Sequence, residues 1–449
     1  MKLLKRLLIV NIIAFLFLLL YSLDHQFLIA SAYKIFYSHE EINFEVIKVP
    51  YHESKSKNKS IELDIALHKA PSLFYQSTLF INTGGPSNQV KHMRSVIDDL
   101  PNVIKATHDI IMFNWRLHSK NTLSIKMREC IKAKNCESFV LNHAKDIGTL
   151  AAVNDLEFIR QKYHIEHISL LGFSYGAVLF THYAALYPQY IDALILDSPY
   201  FNQTKNLDEL DVTNINWHAK IMYHKFKTLG YDYDEYLSLI NSVNWEKNIV
   251  NLPKNRAINL DGFQERLDLF NEHEVVNTIN MSQSIENNII LDLILCADQP
   301  QSIQQKEEFN LTKLELFKAG ILLEDIDHLD QSTCPIGITQ QAILPKIKPK
   351  SIVLNNPSII VYSDFDPVIS PDKVSELSSL FEQHYKLSVQ NSGFHGLFKG
   401  TGSLCIDKKL TKYLLTKNLE SKSYLCNLAE ETKKYYKELS SHLNIFGFE

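Results

Sequence analysis

Apolar and polar positions alternate along the first part of the chain in two distinct rhythms. Ile61, Leu63, Ile65 and Leu67 are spaced by polar or small residues, a period of two that predicts a half-buried strand over 61–67. A second such strand is predicted over 42–49, with the polar turn 51–59 between them. Residues 78–82 and 109–114 are short continuous apolar runs, the pattern of strands covered on both faces. Ala152, Leu156, Ile159 and Tyr163 recur at spacings of four, three and four and predict a helix over 147–163. An apolar run at 167–171, a helix-like stretch at 177–187 and another buried strand at 193–196 follow. From about 200 to 350 the chain turns polar, Asn-rich and helix-patterned, with 237–240 and 289–295 as its main apolar stretches. Strand and helix alternation resumes at 357–362. The next helix has Ser370 as cap, Pro371 in the first helical position and Asp372 in the first turn, and is predicted to run to about residue 384, before a strand at 385–390.

Strands alternating with helices predict a mostly parallel central sheet with helices on both faces. The polar block reads as an inserted helical cap. The expected divisions are therefore 33–199 and 351–449 for the two parts of an α/β core and 200–350 for the cap. Residues 1–32 read as a targeting segment. Lys2, Lys5 and Arg6 precede an uncharged run over 7–23, and Ala30-Ser31-Ala32 offers an A-x-A-like cleavage site. The run is slightly long for a signal peptide and slightly short for a spanning helix, so a signal peptide and an N-terminal membrane anchor both stand. Either one exports the body to the periplasm or the exterior, because the basic end stays inside.

Net charge is −5 and no Lys/Arg cluster stands out in the body, which argues against a nucleic-acid partner. Six cysteines fall as three local pairs, Cys130/Cys136, Cys296/Cys334 and Cys405/Cys426. An even count in an exported chain favours disulfides, although the sequence alone does not fix their connectivity. No C-x-x-C occurs and no His stands at zinc-finger spacing from a pair, so no metal is expected. No organic cofactor is suggested either.

The densest chemical signal is Gly172-Phe173-Ser174-Tyr175-Gly176, between an apolar run and a helix-like stretch. The chain has only 14 glycines, and two flank this serine. A strand–turn–helix of this kind is a nucleophile elbow: the turn is too tight for side chains at the flanking positions and lifts the serine hydroxyl above the sheet. A serine needs a base, and the base needs an orienting acid. In this architecture both follow the serine at the ends of later strands. Asp366 follows the strand ending near Tyr362, and His395 follows the strand ending near Gln390. Asp364 is the competing acid. His384, before its strand, and His442, in a polar C-terminal stretch, are weaker bases than His395, which sits in a turn between Gly393 and Gly396. The oxyanion donors expected are the N–H of Tyr175 and that of Gly85, with Gly84 as the alternative, in the loop 82–87.

With these residues in view, the chain resembles the α/β-hydrolase serine peptidases of the proline iminopeptidase and tripeptidyl aminopeptidase type, from about Val46 to Cys426 and least in the cap. Val49-Pro50 is similar to the opening of that family, Gly84-Gly85-Pro86 to its oxyanion loop, and Asp155-Leu156 with Arg160 to its pre-nucleophile helix. Asp366-Pro367-Val368-Ile369-Ser370-Pro371 resembles its acid loop. Cys296-Ala297-Asp298 and the Cys405–Cys426 spacing are similar to the tripeptidyl branch with its C-terminal disulfide. Ser87 departs from the family at the end of the oxyanion loop. Residues 114–119, Asn-Trp-Arg-Leu-His-Ser, replace its Asp-Gln-Arg-Gly-x-Gly, a change expected to border the active-site mouth. The resemblance implies an α/β-hydrolase fold, a Ser174-Asp366-His395 triad and a peptide substrate with a free N-terminus. It also implies that cap acids bind the substrate amine, with Glu272, Glu274, Asp298, Glu324 and Asp327 as candidates. The same triad serves a carboxylesterase or lipase, and a non-catalytic binding protein on the same scaffold is the third reading.

Overall fold

The computed structural model describes residues 25–36, 41–51, 60–133, 135–199, 290–291, 293–298, 344–364, 366, 369, 371–390, 392, 394–398 and 403–427. Most of the expected cap lies outside them, as do the apolar run 7–23, Cys334, Ser370 and His442.

Nine strands among the described residues form one sheet in the order β1-β2-β4-β3-β5-β6-β7-β8-β9. β1 (Ile42–Pro50) and β2 (Ser60–His68) pair antiparallel, and β2 runs antiparallel to β4 (His108–Phe113). Every later pairing is parallel, through β3 (Ser77–Asn82), β5 (Ile168–Phe173), β6 (Ile191–Asp197), β7 (Ser358–Ser363), β8 (His384–Gln390) and β9 (Ser423–Asn427). The two rhythms of the sequence are visible here. β3 and β4, the continuous runs, are buried at every position, whereas outer β1 is mostly exposed. β6 and β7 are sheet neighbours, Ile195 opposite Ile359, although the long polar block separates them in sequence.

Helices cover both faces. On one, Ala152, Leu156 and Ile159 of α2 (Thr149–Lys162) and Leu179 and Tyr183 of α3 (Tyr175–Leu186) pack with Phe80, Leu170 and Leu194 of the sheet. On the other, Met93 and Ile97 of α1 (Gln89–Asp99) and Ile406, Leu410 and Leu414 of α5 (Leu404–Thr416) pack with Leu79, Leu171 and Ile195. Each such buried aliphatic side chain contributes about 1.5–3 kcal/mol of transfer free energy.

Two helix boundaries differ from the sequence expectation. Ile147 closes the preceding helix, Glu137–Ile147, and extended Gly148 separates it from α2. The helix expected to reach residue 384 is α4 (Pro371–Ser378), which stops early because Phe381 bridges to Ile352 and His384 already opens β8. A further helix, His25–Phe36, contains the Ala30-Ser31-Ala32 site. Its Ile29 and Tyr33 are buried against the core, and Tyr33 Oη lies 3.4 Å from His68 Nε2. No helix among the described residues is long and apolar enough to cross a membrane. Disulfides join Cys130 to Cys136 and Cys405 to Cys426, and Cys296 is also disulfide-bonded.

Candidate active site

β5 ends at Phe173 and α3 begins at Tyr175, leaving Ser174 alone in the turn at φ 50°, ψ −121°. A non-glycine residue held at positive φ costs of order 1–3 kcal/mol and persists only where its surroundings enforce it. Here they do. The Ser174 N–H donates to the Asp197 carbonyl at 3.0 Å. A Cβ on Gly176 would lie 2.5 Å from the Asn82 carbonyl, and one on Gly172 would lie 2.7 Å from the Gly176 carbonyl. The elbow glycines are thus places where backbone meets backbone.

The loop after β3 presses on this turn. A Cβ on Gly84 would sit 2.6 Å from the Phe173 carbonyl and 3.2 Å from the Tyr175 nitrogen. The Gly84 N–H donates to Asn82 Oδ1 at 3.0 Å, so it is already engaged. No hydrogen bond from the Gly85 N–H occurs among the described residues. Buried Gln89, at the start of α1, ties the loop down: its Oε1 accepts the Thr83 N–H at 2.7 Å and its Nε2 donates to the Gly84 carbonyl at 2.9 Å. Sequence reasoning passed over Gln89, whose only signal is a polar residue where α1 begins.

Asp366 is buried, and both its carboxylate oxygens lie 3.0 Å from His395 Nδ1. The Ile369 N–H donates to Asp366 Oδ1 at 3.0 Å and fixes the carboxylate. The competing acid does something else: Asp364 Oδ1 accepts the Ser392 N–H at 3.1 Å, stapling the loop after β7 to the loop after β8. His384 opens β8, at the opposite end of the strand from His395, and burial lowers its pKa.

With Nδ1 facing Asp366, Nε2 is the ring nitrogen left for a substrate-side role. Ser174 and His395 line one cleft of about 290 Å³, walled by Val96, Leu100, Phe173 and Phe398 and including one carboxylate, exposed Asp99. No hydrogen bond joins Ser174 to His395 among the described residues; such contacts commonly tighten only when substrate is bound. A larger cleft, about 410 Å³, is lined by Lys69, Asp109, His167 and Asp192 at the opposite edge of the parallel strands. Ligands in open α/β sheets bind outside the carboxyl ends, which favours the Ser174 cleft.

On the far side of the elbow, Tyr175 Oη donates to Asp298 Oδ2 at 3.2 Å and lies 2.9 Å from Thr149 Oγ1. Asp298 Oδ1 accepts the Thr149 N–H at 2.8 Å, capping α2. Asp298 is fully buried and its pKa is pushed up to about 6 by desolvation. Buried and bonded in this way, it is not available to a substrate amine. The other four cap acids lie outside the described residues. In the 114–119 segment, Trp115 stacks obliquely on Tyr175 at 5.7 Å between ring centroids. Arg116 turns into the core instead, forking to Asp155 at 2.7 and 2.8 Å and reaching Asp146 at 3.2 Å. Only the first of these two residues therefore approaches the elbow.

Another acid that sequence reasoning missed is Asp197, the last residue of β6. It is fully buried, and its carboxylate accepts the N–H groups of Leu397 and Phe398, just beyond His395.

Comparison with known proteins gives a concordant family match. The α/β hydrolase fold family matches residues 78–401. Among solved structures, the chain is similar to a mutant of an epoxide hydrolase from Bacillus megaterium (11% identity, 83% of this chain and 99% of that chain, TM-score 0.40). It is similar to a structure from work on carboxylesterases of the thaumarchaeon Nitrososphaera gargenis (12% identity, 83% and 98% coverage, TM-score 0.38). It is also similar to a proline iminopeptidase from Mycobacterium smegmatis (10% identity, 83% and 96% coverage, TM-score 0.34). No curated protein matches it by sequence.

Proposed function

The chain belongs to the α/β hydrolase fold family, and from that premise we propose that it is an exported serine hydrolase that removes single residues or short peptides from free N-termini. The observation that carries the hydrolase part is the convergence of a strained Ser174 and an Asp366-bound His395 on one cleft. In this reading His395 Nε2 takes the proton from Ser174 Oγ as the oxygen attacks a peptide carbonyl. Asp366 holds the Nδ1–H tautomer and stabilises the imidazolium. The N–H groups of Tyr175 and Gly85 receive the oxyanion, each such donor being worth about 10²–10³ in rate. The imidazolium returns its proton to the departing amine, and water then releases the acyl group from Ser174 by the same steps in reverse.

The aminopeptidase part is supported by the motif resemblance and by Asp99. Its exposed carboxylate shares the cleft with Ser174 and His395 and offers a counter-charge to a substrate ammonium. Two disulfides and a bonded Cys296 support an oxidising, extracytoplasmic location, with residues 1–32 as the export signal or membrane tether. The apolar walls favour a second reading, a carboxylesterase with the same triad.

Products from a mixed peptide pool, read by mass spectrometry, test the choice. Loss of N-terminal residues, abolished in Ser174→Ala and absent with N-blocked peptides, is the expected result. Equal cleavage of blocked peptides refutes the aminopeptidase reading. A preference for p-nitrophenyl esters by orders of magnitude in kcat/KM selects the esterase. Failure of a fluorophosphonate probe to label Ser174 sinks the hydrolase reading altogether.

A further inference from the structure

The dipeptide Asp197-Ser198 touches the backbone of both loops that carry the two reacting side chains. Its main-chain carbonyl, at Asp197, accepts the Ser174 N–H at 3.0 Å. Its side chains grip the other loop. Ser198 Oγ accepts the Gly396 N–H at 2.9 Å. Asp197 Oδ1 and Oδ2 both lie 3.0 Å from the Leu397 nitrogen, and Oδ2 accepts the Phe398 N–H at 2.7 Å. Ser198 Oγ also donates to Asp197 Oδ1 at 3.2 Å, locking the two side chains together. Three consecutive N–H groups after His395 are thereby held by two adjacent residues at the end of β6, across β7 from the strand that leads into the histidine loop. Ser198 itself sits at φ 46°, a strained value that lets its hydroxyl reach Gly396, and its N–H is pinned to the Val361 carbonyl at 2.9 Å.

We propose that Asp197-Ser198 is a positioning bracket: it grips the nucleophile turn through a carbonyl and the histidine loop through two side chains, and so sets the approach of His395 to Ser174. The geometry of the bracket stands by itself; its catalytic consequence rests on the hydrolase reading above. A carboxylate is well suited to the task because it offers only acceptors, which matches converging N–H donors. No Lys or Arg ion pair reaches Asp197 among the described residues. Desolvation pushes its pKa up to about 6, and a protonated His395 favours its ionised form. The titratable groups around it are His395 on the gripped loop, Asp366, which binds that histidine, and Asp364 at the end of β7. The adjoining turn from β5 contributes only Phe173 and Ser174.

Asp197→Asn puts an amide donor against an N–H donor and removes the charge. Ser198→Ala removes only the Gly396 contact and the link to Asp197. Both are compared with wild type and with Tyr413→Phe, a buried change remote from the elbow that controls for lost stability. The readouts are hydrogen exchange across 394–398 and the rate and pH profile of fluorophosphonate labelling, all on the full chain. We expect Asp197→Asn to lose protection at 396–398 and to label about 10- to 100-fold more slowly, since a misplacement of ~1 Å costs about 100-fold. The loss should hold across the pH profile, as expected when the base is misplaced. Ser198→Ala should lose protection at Gly396 and label about three- to tenfold more slowly, while Tyr413→Phe labels at the wild-type rate. A folded Asp197→Asn with wild-type exchange overturns the bracket; so does lost protection with unchanged labelling, which would make it scaffolding alone. If Asp197→Asn does not fold, Ser198→Ala decides by the same criteria. Wild-type protein that resists the probe would instead sink the hydrolase reading, and the exchange data would still judge the bracket.

Discussion

Asp197 and Asp298 flank the serine turn, both wholly buried and both raised to about 6 by desolvation, yet they serve different segments. Asp197 joins core to core, binding the loop after β8 from the end of β6. Asp298 comes from residues 293–298, within the long block between β6 and β7, and binds the start of α2 and the Tyr175 hydroxyl. It fits so closely over Gly148 that a Cβ added there would force the Asp298 carboxylate to shift. A buried carboxylate is retained where backbone N–H groups would otherwise go unsatisfied, at a cost of about 1–3 kcal/mol each. What it controls depends on who owns those groups. On the base side they belong to the histidine loop; on the block side they belong to the helix behind the elbow.

The sharpest way to break this contrast is to remove the serine that both sides serve. Ser174→Ala should lower turnover by about 10⁴-fold or more without lowering thermal stability, because it keeps the Cβ and leaves the turn at φ 50° as it is. Retained activity in the purified variant would show that the two acids flank something other than a nucleophile. Within the base side, Asp366→Asn should cost about 10⁴ in kcat by spoiling the histidine tautomer, whereas Asp364→Asn, which weakens the Ser392 contact and leaves the His395 contact in place, should cost less than tenfold. Equal losses would undo the assignment of the acid.

The block side should be more forgiving. An amide at 298 still accepts from Thr149 and donates to the Tyr175 oxygen, so Asp298→Asn should keep kcat/KM within about threefold, unlike the same change at 197, where every partner is a donor. Stability adds a sign to this prediction. A folded pKa near 6, above the unfolded value of 3.8, means that folded Asp298 holds its proton more tightly. Its contribution is therefore greatest below about pH 4 and declines as pH rises toward 6. Melting curves of wild type and Asp298→Asn should differ most in favour of wild type near pH 4 and less at pH 7; a margin that widens with pH would contradict the burial argument. The smallest effect is expected at the rim. Asp99→Asn should raise KM about twofold for peptides with a free amine, with p-nitrophenyl ester hydrolysis unchanged. A loss shared equally by both substrates would remove Asp99 from amine recognition.

The fold was legible where local pattern and burial agree. The period-two run at 61–67 became β2, and the continuous apolar runs became β3 and β4 at the centre of the sheet. The elbow was legible because its glycines are forced by backbone contacts that follow from the turn itself. Helix ends were less so: nothing in the sequence near Ser378 announces that Phe381 will pair with Ile352. The preference for Asp366 over Asp364 came from resemblance, and side-chain direction at the end of β7 gives the physical reason for it. Asp197 was invisible because its partners lie 200 residues away, and an acid at a strand end reads as an ordinary exposed terminus. Asp298 was noticed for a different role, as a candidate partner of the substrate amine. Its burial depends on Thr149 and Tyr175, which are remote in sequence and give no local sign.

The sheet ends at β9, five residues whose outer backbone groups have no further strand beside them among the described residues and whose Leu425 side chain is 60% exposed. Such a margin is a ready template for a second chain. The bond from Cys426 to Cys405 rivets this margin to the helix beneath it, so the strand cannot leave the sheet while that bond is intact, and any partner must add to it in place.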